Sequence, residues 1–233
     1  DEMFSFMNYI RLSESSMNIL LSGSKEILKK EFKSKLGTLI NPDTIPSETL
    51  FYNESELKQI ETLKEALSDN QYGEISSRMK EFGMKAGFTV LLYGYPGTGK
   101  TSTVKQVAKL TERTIYMVDI QKIQSKWVGE SEKNLARVFS EYKEARRYLD
   151  KDPILLFNEA DAILGKRMNV NSSVDKSFNA LQNILLQELE EVEGIFMATT
   201  NLADQLDKAF DRRFLYKLNY QKPKDFVRLN ILK

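Results

Sequence analysis

Up to about residue 86 the apolar positions recur at helical spacing. Leu20, Ile27, Leu28, Phe32 and Leu36 fall on one face with Lys and Glu between them, and Gly37 reads as a stop. Asn41-Pro42-Asp43 and Ile45-Pro46-Ser47 have turn composition, so a linker is expected over 38–50. Asn53 with Glu56 three residues on has the form of a capping box. It opens a helix whose Leu57, Ile60, Leu63 and Leu67 share one side. A shorter helix is expected from about Ile75 to Phe82.

From Gly87 the pattern changes to short apolar runs alternating with longer amphipathic ones. Phe88–Tyr93, Thr114–Asp119, Ile154–Phe157, Ile195–Thr200 and Phe214–Tyr220 read as strands. Lys100–Leu110, Ser131–Leu149 and Val174–Val192 read as helices. In the second of these Leu135, Val138, Phe139, Tyr142 and Ala145 share a face, and in the third Phe178, Leu181, Leu185 and Leu189 do. Alternation of this kind implies an α/β fold with parallel pairing, right-handed crossovers and helices on both sheet faces. There are no internal repeats and no low-complexity tracts.

Composition narrows the chemistry. The 233 residues are 41% hydrophobic and 29% charged, a globular balance that allows one large domain or a medium one with a smaller companion. Thirty-four Lys and Arg against thirty-three Asp and Glu leave +1, which does not call for nucleic acid or an anionic membrane as the main partner. With no Cys and no His, disulfides, thiolate or imidazole metal sites and His-based catalysis are excluded. No apolar run approaches the ~18 residues of a membrane span. The start, Asp1-Glu2-Met3-Phe4, lacks a secretory pattern, so a cytoplasmic setting is expected. Asp1 is not an initiator Met, and a fragment or processed product is expected.

The first chemical signal follows the Phe88–Tyr93 strand. Gly94-Tyr95-Pro96-Gly97-Thr98-Gly99-Lys100-Thr101 fits G-x-x-x-x-G-K-[ST], a phosphate loop between a strand and a helix. Glycines let successive N–H groups turn inward at phosphate oxygens, and the helix opening at Lys100, with Ser102 in its first turn, aims its positive end at the same place. Lys100 would reach the β- and γ-phosphates of a nucleotide, and the Thr101 hydroxyl would ligate Mg²⁺. The second signal is Ile154-Leu155-Leu156-Phe157-Asn158-Glu159-Ala160-Asp161, which delivers acids to a strand end beside that loop. Glu159 is the candidate base for polarising an attacking water.

These two segments, with Ala198-Thr199-Thr200-Asn201 and Lys126–Lys133, make the chain resemble the AAA+ ATPases, closest to their protein-remodelling branch, over about 85–233. The resemblance implies a P-loop NTPase three-layer sandwich with a mainly parallel sheet. Within it a large α/β subdomain is expected over 87–222 and the start of a helical lid, cut short at the chain's end, over 223–233; ahead of it the spacing of apolar residues gives an N-terminal helical segment of unknown role (1–50) and a helical linker (51–86). The resemblance implies ATP with Mg²⁺, with Glu159 as catalytic glutamate and Asn201 as the sensor that positions the lytic water. Arg212 and Arg213 stand where the family carries arginine fingers that act on a neighbouring subunit. Asn158 departs from the family's Asp, keeping an acceptor oxygen for the metal shell but losing a charge; Asp161 is a candidate compensator. Lys126-Trp127-Val128 matches a pore loop in which an aromatic side chain grips a polypeptide, and Gly165–Ser173 lies where a second pore loop is found.

The expected function is hydrolysis of ATP at subunit interfaces of a homo-oligomer, hexameric when intact, that remodels a polypeptide client. The rivals are an ATP-binding scaffold with negligible hydrolysis, a DNA-acting relative and, more distantly, a small-molecule kinase. The adenine pocket is expected to involve Ser76–Phe88.

Overall fold

The computed structural model describes residues 36–83, 85, 87–123, 130–166, 173–202 and 206–231. Its centre is a six-stranded sheet of β1 (Gly37–Ile40), β2 (Gly87–Gly94), β3 (Ile115–Asp119), β4 (Ile154–Asn158), β5 (Gly194–Thr200) and β6 (Tyr216–Tyr220). The spatial order is β1-β3-β4-β5-β2-β6. All pairings among β2 to β6 are parallel, and β1 runs antiparallel along the edge of β3, Gly37 facing Val118 and Ile40 facing Ile115. The α/β class and the mainly parallel sheet are therefore as expected.

Alternation along each strand sends side chains to two cores. Leu91, Leu155, Phe157, Phe196 and Ala198 face one side. Val90, Leu92, Ile154, Leu156, Ile195 and Met197 face the other. A strand apolar at every position has to be covered on both faces, and helices cover both. Helices α5 (Glu130–Tyr148) and α7 (Ser173–Glu191) lie on the first face. On the second lie α1 (Glu54–Ala66), α2 (Asp69–Glu81) and α3 (Lys100–Leu110). The α5 face of Leu135, Val138, Phe139 and Tyr142 is almost fully buried, and each of these side chains contributes ~1.5–3 kcal/mol. Short helices α4 (Ile120–Ile123), α6 (Asp161–Leu164) and α8 (Lys208–Asp211) follow β3, β4 and β5, and α9 (Asp225–Ile231) follows β6.

Two expectations need correction. The stretch over 38–50 is not simply a linker: Gly37–Ile40 is an edge strand and Pro42–Thr44 a 3-10 turn. Four residues are too few to show a period, and pairing with β3 decides their conformation. Helix α2 begins at Asp69, well before Ile75, because tertiary contacts hold its first turns. Tyr72 packs in the core, its hydroxyl donates to Asp152 at 2.7 Å, and the Arg113 guanidinium stacks over its ring at 4.6 Å. The opening of α1 is as expected: Glu56 Oε2 accepts the Asn53 N–H at 2.9 Å.

Residues 1–35, including the expected helical face from Leu20 to Phe32, lie outside the described residues. So do Lys126, Trp127 and Val128 of the expected pore loop, and Arg167–Ser172 of the second. Among the described residues no helix is long and apolar enough to cross a membrane.

Candidate functional site

Because β2 to β6 are parallel, their C-terminal ends share one edge of the sheet, and the strand order sets β5 between β2 and β4. The phosphate loop leaves β2, the acidic segment leaves β4, and Thr199-Thr200-Asn201 ends β5 between them. A cleft of about 380 Å³ opens there, lined by Pro96–Ser102, Glu159 and Thr199–Asn201. Gly94 and Tyr95, counted with the loop in the sequence, do not line it. They anchor its entrance: Tyr95 N–H donates to the Tyr220 carbonyl at 3.1 Å, and a Cβ on Gly94, whose φ is +129°, would stand 2.1 Å from that oxygen.

Gly99 caps α3 at φ +88°, in the left-handed region, and a Cβ there would meet no protein atom. The first amides of an eleven-residue helix thus face an open cleft, an arrangement that favours anions. Lys100 is almost fully buried. Its ammonium is folded onto the loop, donating to the carbonyls of Tyr95 at 2.7 Å and Gly94 at 3.0 Å. Burial pushes its pKa below the usual lysine value, and the Asp161 carboxylate pulls the other way.

The loop and the acidic strand meet at one bond. Thr101 Oγ1 donates to Asn158 Oδ1 at 2.7 Å, which leaves the Thr101 oxygen lone pairs free for a cation. The same Asn158 oxygen accepts from Thr199 Oγ1 at 3.1 Å. Thr199 in turn accepts the Glu159 N–H on its hydroxyl at 3.0 Å and the Ala160 N–H on its carbonyl at 2.8 Å. Those bonds hold Glu159 at φ +52°, a conformation a non-glycine residue rarely takes and one that costs about 1–3 kcal/mol. The Thr101 hydroxyl oxygen suits Mg²⁺, which takes the rest of its shell from phosphate and water, and Asn158 Oδ1 would join that shell by giving up one of its two hydroxyl donors. No cluster of three carboxylates able to hold a metal alone occurs among the described residues.

Asn201 lines the cleft and is held there by Asp161. Asp161 accepts the Asn201 N–H at 2.7 Å and its side-chain amide at 3.1 Å, and also the Thr200 hydroxyl. Asp161 thereby fixes the end of β5. Neither Arg212 nor Arg213 lines this cleft in its own chain. Arg213 is ion-paired with Glu190 at the end of α7, its Nε buried without a partner, whereas Arg212 has no ion pair among the described residues.

Thr199 and Asp161 were not assigned these roles from sequence. Adjacent threonines ending an otherwise apolar strand, both nearly fully buried, were the available signal. Past the loop a second cleft of about 290 Å³ runs on, lined by Thr49–Tyr52, Glu56, Gly97–Gly99, Gln221 and Pro223. None of these lies within Ser76–Phe88.

Comparison with known proteins supplies the family. The model of the family described as "ATPase family associated with various cellular activities (AAA)" matches residues 90–221. The chain is 30% identical over 185 residues to Cell division protein C of Sulfolobus acidocaldarius, covering 78% of this chain and 49% of that protein. It is 33% identical over 165 residues to the Vesicle-fusing ATPase of Caenorhabditis elegans, covering 66% and 20%. The chain thus spans about half, or less, of the length of these relatives. A chain of the solved "E. coli MS115-1 HORMA:CdnC:Trip13 complex" matches with a TM-score of 0.63 at 22% identity, over 84% of this chain and 73% of that one, a likeness of fold. With the family model spanning more than half its length, this chain belongs to the AAA family of ATPases.

Proposed function

We propose that this chain is the nucleotide-driven core of a protein-remodelling motor, one that binds Mg·ATP in the Pro96–Ser102 cleft and hydrolyses it. The observation that carries the reading is the Thr101–Asn158 hydrogen bond, which joins the phosphate loop to the strand that delivers Glu159. In this reading the loop amides and Lys100 hold the β- and γ-phosphates, and Thr101 and Asn158 hold the magnesium ion, which neutralises phosphate charge when bound. Lys100 exchanges its two carbonyl partners for phosphate oxygens. Glu159 accepts the proton of an attacking water, Asn201 orients that water, and an arginine of a neighbouring subunit steadies the charge of the transferring group. The base occupies the cleft beside Thr49–Tyr52, the more apolar of the two. Trp127, with Lys126 and Val128, grips a polypeptide client in a homo-oligomer, taken as hexameric, in the cytoplasm.

A second reading is favoured by Asn158. With one negative charge fewer beside the metal, the chain would bind ATP and assemble but turn over negligibly. Phosphate release measured beside Glu159→Gln and Lys100→Ala separates the two. Turnover well above both variants supports the motor, and turnover no higher than Glu159→Gln supports the scaffold. A DNA-acting role is disfavoured by the +1 balance, and stimulation of the ATPase by duplex DNA would reverse that.

A further inference from the structure

Behind the phosphate loop, two phenol hydroxyls converge on one threonine oxygen. Thr103 Oγ1 donates to the Gly99 carbonyl at 2.9 Å, the Tyr220 hydroxyl donates to Thr103 Oγ1 at 2.9 Å, and the Tyr52 hydroxyl lies 2.9 Å from it. A hydroxyl has one hydrogen and two lone pairs. With the Thr103 hydrogen on Gly99, both phenols donate, and the Thr103 oxygen is saturated. A threonine bonding back to the fourth residue before it is common in helices and needs no phenol. Two tyrosines from distant segments on that same oxygen are a different matter. Thr103 and Tyr220 are each 1% exposed, so their bond is sealed from water, while Tyr52 is half-buried. The Tyr52 and Tyr220 rings pack edge to face at 6.4 Å. Phenylalanine would supply that packing, and what the hydroxyls add is the grip on Thr103.

The peptide unit supplies the link to function. In a planar trans peptide the C=O and N–H point in opposite directions. The Gly99 carbonyl is drawn back into α3 by both the N–H of Thr103, at 2.8 Å, and its hydroxyl. The N–H of Lys100 is thereby turned the other way, toward the cleft. Tyr220 also holds the loop's far end, since its own carbonyl accepts the Tyr95 N–H. One residue therefore fastens both ends of the loop. Tyr52 adds a second connection, because it lines the neighbouring cleft as well.

We propose that Tyr220 and Tyr52, acting through Thr103, are positioning residues that hold the Gly99–Lys100 peptide with its amide aimed at the β-phosphate, and that Tyr52 ties this aim to occupancy of the base cleft. The inference rests on reading Gly94–Thr101 as a phosphate loop and goes beyond it by naming what holds the loop.

The test compares ADP with AMP, which differ by the β-phosphate, for wild type, Thr103→Val, Thr103→Ser and the double variant Tyr52→Phe/Tyr220→Phe. Thr103→Val is expected to lower the ADP-over-AMP preference about tenfold while AMP affinity stays within about twofold, and the double variant is expected to lower the same preference about tenfold. Thr103→Ser, which restores the hydroxyl, is expected to keep the wild-type preference. Melting temperatures that fall with no change in the preference would mean a merely structural role and would overturn the inference, as would a Thr103→Ser variant as impaired as Thr103→Val. If wild type itself showed no preference for ADP, the phosphate-loop reading would fail, and this inference with it.

Discussion

At the scale of single residues, the site is built by giving ordinary side chains unusual surroundings. Glu159 sits in left-handed backbone because Thr199 holds its N–H and the next one. A glycine would relieve that strain at the price of its own extra chain entropy, ~1 kcal/mol. Glu159→Gly is therefore expected to gain about 1 kcal/mol, raising the melting temperature by roughly 2–4 °C, while phosphate release disappears. A variant that melts no higher than wild type would remove strain from the account. Asn158 is the second case. Its amide oxygen takes both Thr101 and Thr199, so geometry is kept and only charge is missing. A unit charge at about 4 Å is worth roughly 4 kcal/mol gross at an effective dielectric of 20, most of it cancelled by desolvation. Asn158→Asp is expected to lower the Mg²⁺ concentration for half-maximal ATP binding about tenfold. An unchanged magnesium titration would show that the charge at this position does not matter.

At the scale of elements, the far end of the sheet shows how helices are locked to strands. Tyr142 in α5 donates to the Pro153 carbonyl at 2.9 Å and accepts the Ile195 N–H at 2.8 Å. Asp152, just before β4, accepts from Arg146 at 2.8 Å and from Tyr72 of α2 at 2.7 Å. Burial alone would raise the Asp152 carboxyl, but hydrogen bonds from Arg146 and Tyr72 outweigh it and hold it below the usual aspartate value. A lowered carboxylate pKa stabilises fully above the unfolded value of about 4, and that stabilisation is lost as pH falls through the folded value. Asp152→Asn is expected to cost ~2 kcal/mol near neutral pH and to converge on wild type in acid. Urea unfolding at a series of pH values checks this, and a constant gap down the acid limb would contradict it. The elements themselves were legible where period and flanks agreed. The helix expected over Lys100–Leu110 is α3 to the residue, since a glycine opens it and apolar spacing fills it. Edge strand β1 and the first turns of α2 were not, because both are fixed by partners far along the chain. The site divides the same way. The contiguous motifs carried Lys100, Thr101 and Glu159, while Thr199, Asp161 and Tyr220 act through partners 39 to 117 residues away, which no local pattern displays.

At the scale of the whole molecule, five parallel strands bring the Gly94–Thr101 loop, Glu159 and the Thr199–Asn201 segment to a common edge, and the arginines stay out of that edge's cleft. The account therefore needs a second subunit. Arg213 is paired with Glu190, and Arg212 has no ion pair among the described residues, which makes Arg212 the better candidate to reach a neighbour. Arg212→Ala is expected to keep its melting temperature and ATP affinity and to lose phosphate release at least about tenfold. Mixed with Glu159→Gln it should recover part of the activity, since each variant supplies what the other lacks; a mixture as inactive as its components would argue against a shared site. The central claim is that the Gly94–Thr101 loop seats a nucleotide triphosphate. Calorimetric titration of the chain with ATP and Mg²⁺, beside Lys100→Ala, tests it most directly. The account predicts one-to-one binding in the micromolar range that weakens at least about tenfold in the variant. No binding at about 1 mM ATP, or equal affinity for the two proteins, would contradict it.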